Sequence, residues 1–193
     1  MPEKITLNFN FQEFKPYGAP DTWVPESEYQ RILIVNLAKN LQIVRSAMQP
    51  GCSLSISCGV RTSVDYDRLV ASGYHPSETS DHYCGNVVSI SPSSPKYKKF
   101  GPDYYLSCGA ADVIPKGMDI ELFFKMAASL TLRGMCKFGQ VIYEQDFNKK
   151  TKWVHFSNDY SSVFTPSIVS FLGKEKFLTT VDGGMNYTKY IPT

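Results

Sequence analysis

Imidazole chemistry in this 193-residue chain is limited to three residues, His75, His82 and His155. His75 sits in Gly73-Tyr74-His75-Pro76, a loop segment, while the other two lie in segments crowded with polar side chains. Cys58-Gly59-Val60-Arg61-Thr62 carries an arginine. Thr79–Gly85 contains Ser80 and His82, and the later Cys108–Asp112 ends on Asp112. Val141–Gln145 contains Glu144, and Lys152–Ser157 contains Trp153-Val154-His155. Imidazole nitrogens and carboxylate oxygens are ordinary zinc ligands, and the same groups do acid–base work. An arginine adds a planar fork of charged donors suited to a carboxylate or a developing oxyanion. Taken singly, the residues also fit blander roles. His82 reads as a solvated loop histidine beside Tyr83, His155 as a packed cross-strand residue, and Asp112 as a turn residue before Val113-Ile114-Pro115.

Composition narrows the classes. The length corresponds to one domain with a sizeable core, and 42% apolar with 20% charged residues is globular composition. A net charge of +2 disfavours a protein that binds nucleic acid by neutralising phosphates. Five cysteines without Cys-x-x-Cys spacing fit neither a disulfide framework nor a Cys-rich zinc ribbon. The first residues hold no signal-like apolar run, and no stretch approaches the roughly 20 apolar residues that span a bilayer. The expectation is a chain made in the cytoplasm, without a membrane span, that needs other factors to reach any substrate outside it.

The elements that must position these residues follow from periodicity. Alternation over Thr6–Phe11 predicts a short strand or an extended arm, and Lys15–Pro25 a loop. Apolar residues from Ile32 to Met48 recur at helical spacing, giving a helix over Glu28–Met48 stopped by Pro50-Gly51. Ser53–Ser57 predicts a strand ending at Cys58-Gly59, so that Arg61 projects from a strand end. Val64–Ser72 predicts a short helix closed by Gly73. Asp119–Leu132 predicts a second amphipathic helix with Asp119 at its N-terminus. Lys137–Gln145 and Lys152–Ser157 predict a hairpin, and Lys174–Tyr190 a terminal strand or polar tail.

In their joint order these segments resemble the zinc D-Ala-D-Ala carboxypeptidase-like peptidases, particularly the branch common in phage genomes. In that family a strand ends in Ser-Gly-Tyr-Arg, a Ser-x-His-x-x-Gly-x-Ala-x-Asp motif follows, and a Trp-x-His lies later on a strand. The matching residues are Gly59, Arg61, Ser80, His82, Gly85, Ala110, Asp112, Trp153 and His155. The resemblance implies an α+β fold, hedgehog/DD-peptidase-like, with a small antiparallel sheet carrying a zinc site and helices packed on one side. It implies one Zn²⁺ per chain, held by His82, Asp112 and His155, with a fourth position left for water. Glu144 would be the general base, Arg61 would bind a substrate carboxylate or the oxyanion, and Ser80 would bind substrate or support the site. The implied substrate is the peptidoglycan stem peptide, cut as a D,D-carboxypeptidase or an endopeptidase at the bacterial cell wall or from within a phage virion. The alternative is a phage structural or binding protein that keeps the peptidase fold and meets other phage structural proteins. The related signalling domain of hedgehog proteins shows such a fold used for binding.

The assignment of Glu144 turns on strand parity. With an even-numbered connection, Gln145 pairs with Lys152, and Glu144 opposes Trp153 on the face that carries His155. Some relatives place the acid three residues before the last histidine, where this chain has Lys152. Asp146 and Asp159 are the reserve carboxylates. In the family the first histidine and the aspartate are close enough for one loop to present both. Here His82 and Asp112 are far apart, so the expectation is a single domain with an insertion at about residues 86–107, tolerated because closure entropy grows slowly with length. The lysines at 96, 98 and 99 read as a solubilising face, or one that attracts an anionic wall polymer. Cys58, Cys84 and Cys108 read as free, partly buried thiols.

Overall fold

The computed structural model describes residues 3–77, 80–85, 87–89, 104–159 and 176–192. Its framework is a six-stranded sheet of β1 (Ser53–Cys58), β4 (Ala110–Lys116), β5 (Phe138–Asp146), β6 (Thr151–Asn158), β7 (Phe177–Thr180) and β8 (Thr188–Lys189). The strand order is β1-β4-β6-β5-β7-β8. Two further strands, β2 (Val87–Ser89) and β3 (Tyr104–Leu106), form a separate antiparallel pair. That pair starts where Gly85 N donates to Ser107 O at 2.9 Å, so the two ends of the intervening segment meet. Residues 86 and 90–103, including the three lysines, lie outside the described residues.

Three helices are described: α1 (Glu28–Ala47), α2 (Ser63–Ala71) and α3 (Ile120–Leu132). Each begins at a residue able to satisfy the exposed amides of a first turn. Ser27 accepts from Gln30 N, Thr62 from Asp65 N, and Asp119 from the amides of Glu121 and Leu122. The long helices pack on one face of the sheet. Leu33, Ile34, Leu37, Leu41 and Val44 of α1 and Phe123, Phe124 and Ala127 of α3 meet Ala111, Val113, Val141, Val154 and Phe156 in one core. Phe156 sits at its centre, with ring centroids 4.8 Å from Phe138 and 5.9 Å from Phe123. Because side chains alternate across a strand, the residues between these core positions, Asp112 and His155 among them, point to the opposite face. The shorter α2 borders the cleft on that other face through Asp65, Arg68 and Leu69. No helix among the described residues is long and apolar enough to cross a membrane.

The structure departs from expectation in three places. The fold is α+β, but the sheet is mixed, because β5 pairs in parallel with β7. Strand β6 already occupies one edge of β5. The other edge is taken by β7, with Phe177 opposite Val141 and Thr180 opposite Glu144. Second, the Thr6–Phe11 arm is not a strand. A bridge from Lys4 to Asn10 folds it back, and a 3-10 turn, Phe11–Phe14, follows. Asn10 and Glu13 close a reciprocal capping box that stops extension. Third, Asp112 lies within strand β4, an element the pattern did not predict, and the blander turn reading of this residue does not hold. Pro115 obscures that strand in the sequence, since proline is poorly tolerated between two partners. Pairing with β6 stops at Val113, so Pro115 lies where only β1 flanks it.

Candidate functional site

Register across the sheet assembles a row of side chains. Cys58 pairs with Asp112, Asp112 with His155, His155 with Ile142, and Ile142 with Leu178. The adjacent row is formed by Trp153, Glu144 and Thr180. The β5–β6 hairpin pairs Gln145 with Lys152 and Glu144 with Trp153. Glu144 therefore shares a face with His155, while Lys152 is exposed. His82 arrives from outside the sheet, on a 3-10 turn (Asp81–Tyr83) capped by Ser80. Arg61 N donates to His82 O at 2.8 Å and so ties this turn to the end of β1.

Three donor atoms converge. His82 Nε2 stands 3.2 Å from Asp112 Oδ1 and 3.2 Å from His155 Nδ1, and His155 Nδ1 stands 3.0 Å from Asp112 Oδ1. Ligand atoms at about 2.0–2.1 Å from a tetrahedral zinc stand about 3.3–3.4 Å from one another. The triangle thus has nearly the size that one small ion requires. Its chemistry fits as well. His82 Nδ1 lies 2.7 Å from the carbonyl oxygen of Gly59, which can only accept, so Nδ1 carries hydrogen. In the neutral ring Nε2 is then a lone pair aimed at a carboxylate oxygen, a contact that a proton or a metal cation must fill. A histidine whose second nitrogen donates to a backbone carbonyl is the usual arrangement at metal sites.

The groups are buried, each below a tenth exposed. Burial is the largest single influence on His82 and would lower its pKa, but the Asp112 charge, the Cys58 thiol and the Asp112 hydrogen bond together outweigh it and push the imidazole up to about 10. Asp112 is likewise penalised by burial, yet His82 and His155 hold it well below the usual carboxylate range. Burial pushes His155 down. Glu144 is pushed up to about 8, first by burial and then by the Asp112 charge, against a hydrogen bond from the Trp153 side chain. A Glu144 oxygen, an Asp112 oxygen and a His155 nitrogen lie within 4.8 Å of one another.

Cys58, Asp112 and His82 form a second potential ligand group that overlaps the first. Cys58 Sγ lies 3.7 Å from His82 Nδ1, the nitrogen already facing Gly59 O, and 3.6 Å from Arg61 Nη2. Arg61 is 8% exposed. Its Nη1 donates to Ser80 Oγ at 3.2 Å, and its Nε is buried without a hydrogen-bond partner. No carboxylate among the described residues forms an ion pair with it. Ser80 Oγ also accepts from His82 N at 3.3 Å, so Ser80 links the arginine to the histidine turn.

The donor triangle, Glu144, Cys58, Arg61 and Ser80 border a cleft of about 770 Å³, whose other walls come from the N-terminal arm between Gln12 and Gly18, α2, Tyr74–Ser77 and Tyr187. His75 lines that wall, apart from the donor triangle. The reserve carboxylates do not line the cleft. Asp146 caps its hairpin loop by accepting from Asn148 N and Lys149 N, and Asp159 pairs with Lys176 at 3.6 Å.

Sequence reading did not single out the contribution of Gly59 to packing. A Cβ there would fall 2.5 Å from Phe14 Cα and 2.5 Å from Phe14 O, because the arm presses directly on this backbone. The position of Gly59 before Val60-Arg61 was visible in the sequence, but its partner forty-odd residues earlier was not. Cys58 and Tyr187 were also not assigned to the site. Cys58 had the signal of direct adjacence to the arginine motif, and Tyr187 had none. No protein-family model matches the chain, and no curated protein or solved structure was found to be similar to it.

Proposed function

We propose that the chain is a zinc-dependent peptidase that hydrolyses a peptide bond in peptidoglycan stem peptides, as a D,D-carboxypeptidase or an endopeptidase. The observation that carries this reading is the 3.0–3.2 Å triangle of His82, Asp112 and His155 donors, with Glu144 beside it in an open cleft. His82, Asp112 and His155 would hold the ion. Two imidazoles and one carboxylate are a ligand set typical of catalytic rather than structural zinc. Zinc bound there supplies a Lewis acid and makes water acidic near neutral pH.

The remaining work falls to the chain's own side chains. Glu144, held by Trp153 and raised toward neutrality, takes a proton from the attacking water and returns it to the leaving amine. Arg61 is a buried cation with an unused Nε, so a carboxylate of the peptide completes its hydrogen bonding and orients the scissile bond. Ser80 and Cys58 keep the guanidinium aimed along the cleft. The peptidoglycan assignment is supported by the motif resemblance and by a cleft wide enough for a short peptide.

The test is digestion of purified peptidoglycan, read by mass spectrometry, with wild type, Glu144→Gln and a chelator control. Wild type is expected to release D-Ala or to split cross-links. Glu144→Gln should lose about 10²–10⁴-fold in rate while keeping its zinc. Unchanged peptidoglycan, or product formation equal in the variant, overturns the reading.

A further inference from the structure

Tyr187 belongs to the terminal segment, yet it lines the cleft together with Glu144 and His155. The turn that delivers it is organised by Asp182. Thr180 Oγ1 donates to Asp182 Oδ1 at 2.7 Å, the amides of Met185 and Asn186 donate to the same oxygen at 3.0 Å, and Asn186 Nδ2 donates to Oδ2 at 2.7 Å. The turn is also fastened to the strand that carries Glu144. Thr180 pairs with Glu144, Asp182 bridges to Asp146, and Gly183 N donates to Gln145 O at 3.1 Å.

Gly184, at φ 93°, leaves a gap in front of the carboxylate. A Cβ built there would lie 2.9 Å from Tyr187 Oη and 3.7 Å from Glu144 Oε2. The hydroxyl and the carboxylate therefore flank the same small space, no farther apart than those two distances together. Tyr187 is 47% exposed overall, but its hydroxyl end is desolvated, and this, followed by the charges of Glu144 and Asp112, holds the phenol above its ordinary range, so it keeps its proton at working pH.

We propose that Tyr187 is a catalytic residue of the hydrolysis, its hydroxyl donating a hydrogen bond to the oxygen of the scissile carbonyl as that oxygen gains charge. This rests on the peptidase reading above. The two groups that flank the gap divide the chemistry: Glu144 accepts the proton of water, and Tyr187 offers a donor that never leaves its oxygen. A preorganised donor at a developing oxyanion contributes about 10²–10³-fold in kcat.

The experiment compares wild type, Tyr187→Phe, Gly184→Ala and the double variant on one stem-peptide substrate cut by the wild type, with zinc content and thermal midpoint measured for each. Tyr187→Phe keeps the ring and is expected to retain its zinc, midpoint and KM while kcat falls about 10²-fold. Gly184→Ala, which sets a methyl group against the hydroxyl, should lower kcat in wild type and change little in Tyr187→Phe. An active wild type with kcat unchanged in Tyr187→Phe overturns the role of Tyr187 alone. A wild type that cuts no stem peptide overturns the peptidase reading and this role with it.

Discussion

Zinc held as proposed would have to compete with a proton for His82, and the surroundings of that imidazole give the size of the competition. In the chain without bound metal the His82 imidazole is pushed up to about 10, burial being outweighed by Asp112 and Cys58 together. Its Nδ1 hydrogen is committed to Gly59 O, so the extra proton occupies Nε2, the atom that faces Asp112 and His155. At pH 7 that proton lies about three units below its pKa, which weakens zinc binding about a thousandfold, or about 4 kcal/mol, against its high-pH limit. Asp112 is already ionised, and burial keeps His155 neutral, so neither has a proton to lose. Glu144, at about 8, is mostly protonated at pH 7 and ionises when a dication arrives. Zinc binding at pH 7 is therefore expected to release nearly two protons in the wild type and one in Glu144→Gln. The sign is that affinity rises with pH, in Glu144→Gln by about a hundredfold from pH 6 to pH 8. Calorimetry in two buffers of different ionisation enthalpy counts the protons, and chelator competition gives the affinities. Zinc binding without proton release at pH 7, or with affinity flat across that range, would refute the tautomer argument.

Two perturbations test the frame that holds the site. Phe156→Ala removes the ring at the centre of the core and should cost about 3–5 kcal/mol in denaturant unfolding, with zinc stoichiometry retained under native conditions. Gly59→Ala drives a methyl group into the Phe14 backbone and shifts the carbonyl that orients His82. It is expected to lower the thermal midpoint and zinc affinity together, whereas Val60→Ala, one residue on, lowers the midpoint alone.

Local pattern carried much of the fold. The α1 and α3 helices were legible because their apolar stripes are long and their caps are ordinary. The β5–β6 register was legible because parity leaves few choices once the loop is even. Strand β4 was not, because Pro115 breaks its pattern, and only the early end of the β6 pairing makes that proline tolerable. The N-terminal arm was misread because an alternating pattern says nothing about the Asn10–Glu13 box that turns it. Within the site, the motif resemblance nominated His82, Asp112 and His155, and strand parity put Glu144 on their face, but the contact of the first two depends on a stem between Gly85 and Ser107. Tyr187 was beyond reach of the sequence, since a polar turn reveals its target only through the parallel pairing of β7 with β5.

The donor triangle also has a mechanical meaning. Its ligands are 30 and 43 residues apart along the chain, so an ion that binds all three ties together distant stretches of polypeptide. Cross-linking a loop of that length removes chain entropy from the unfolded state worth about 4 kcal/mol, by analogy with a disulfide. In a chain whose five cysteines include no described disulfide, the ion would serve as the covalent-like staple that the thiols do not provide. Chemistry and cohesion would then be supplied by the same bond set.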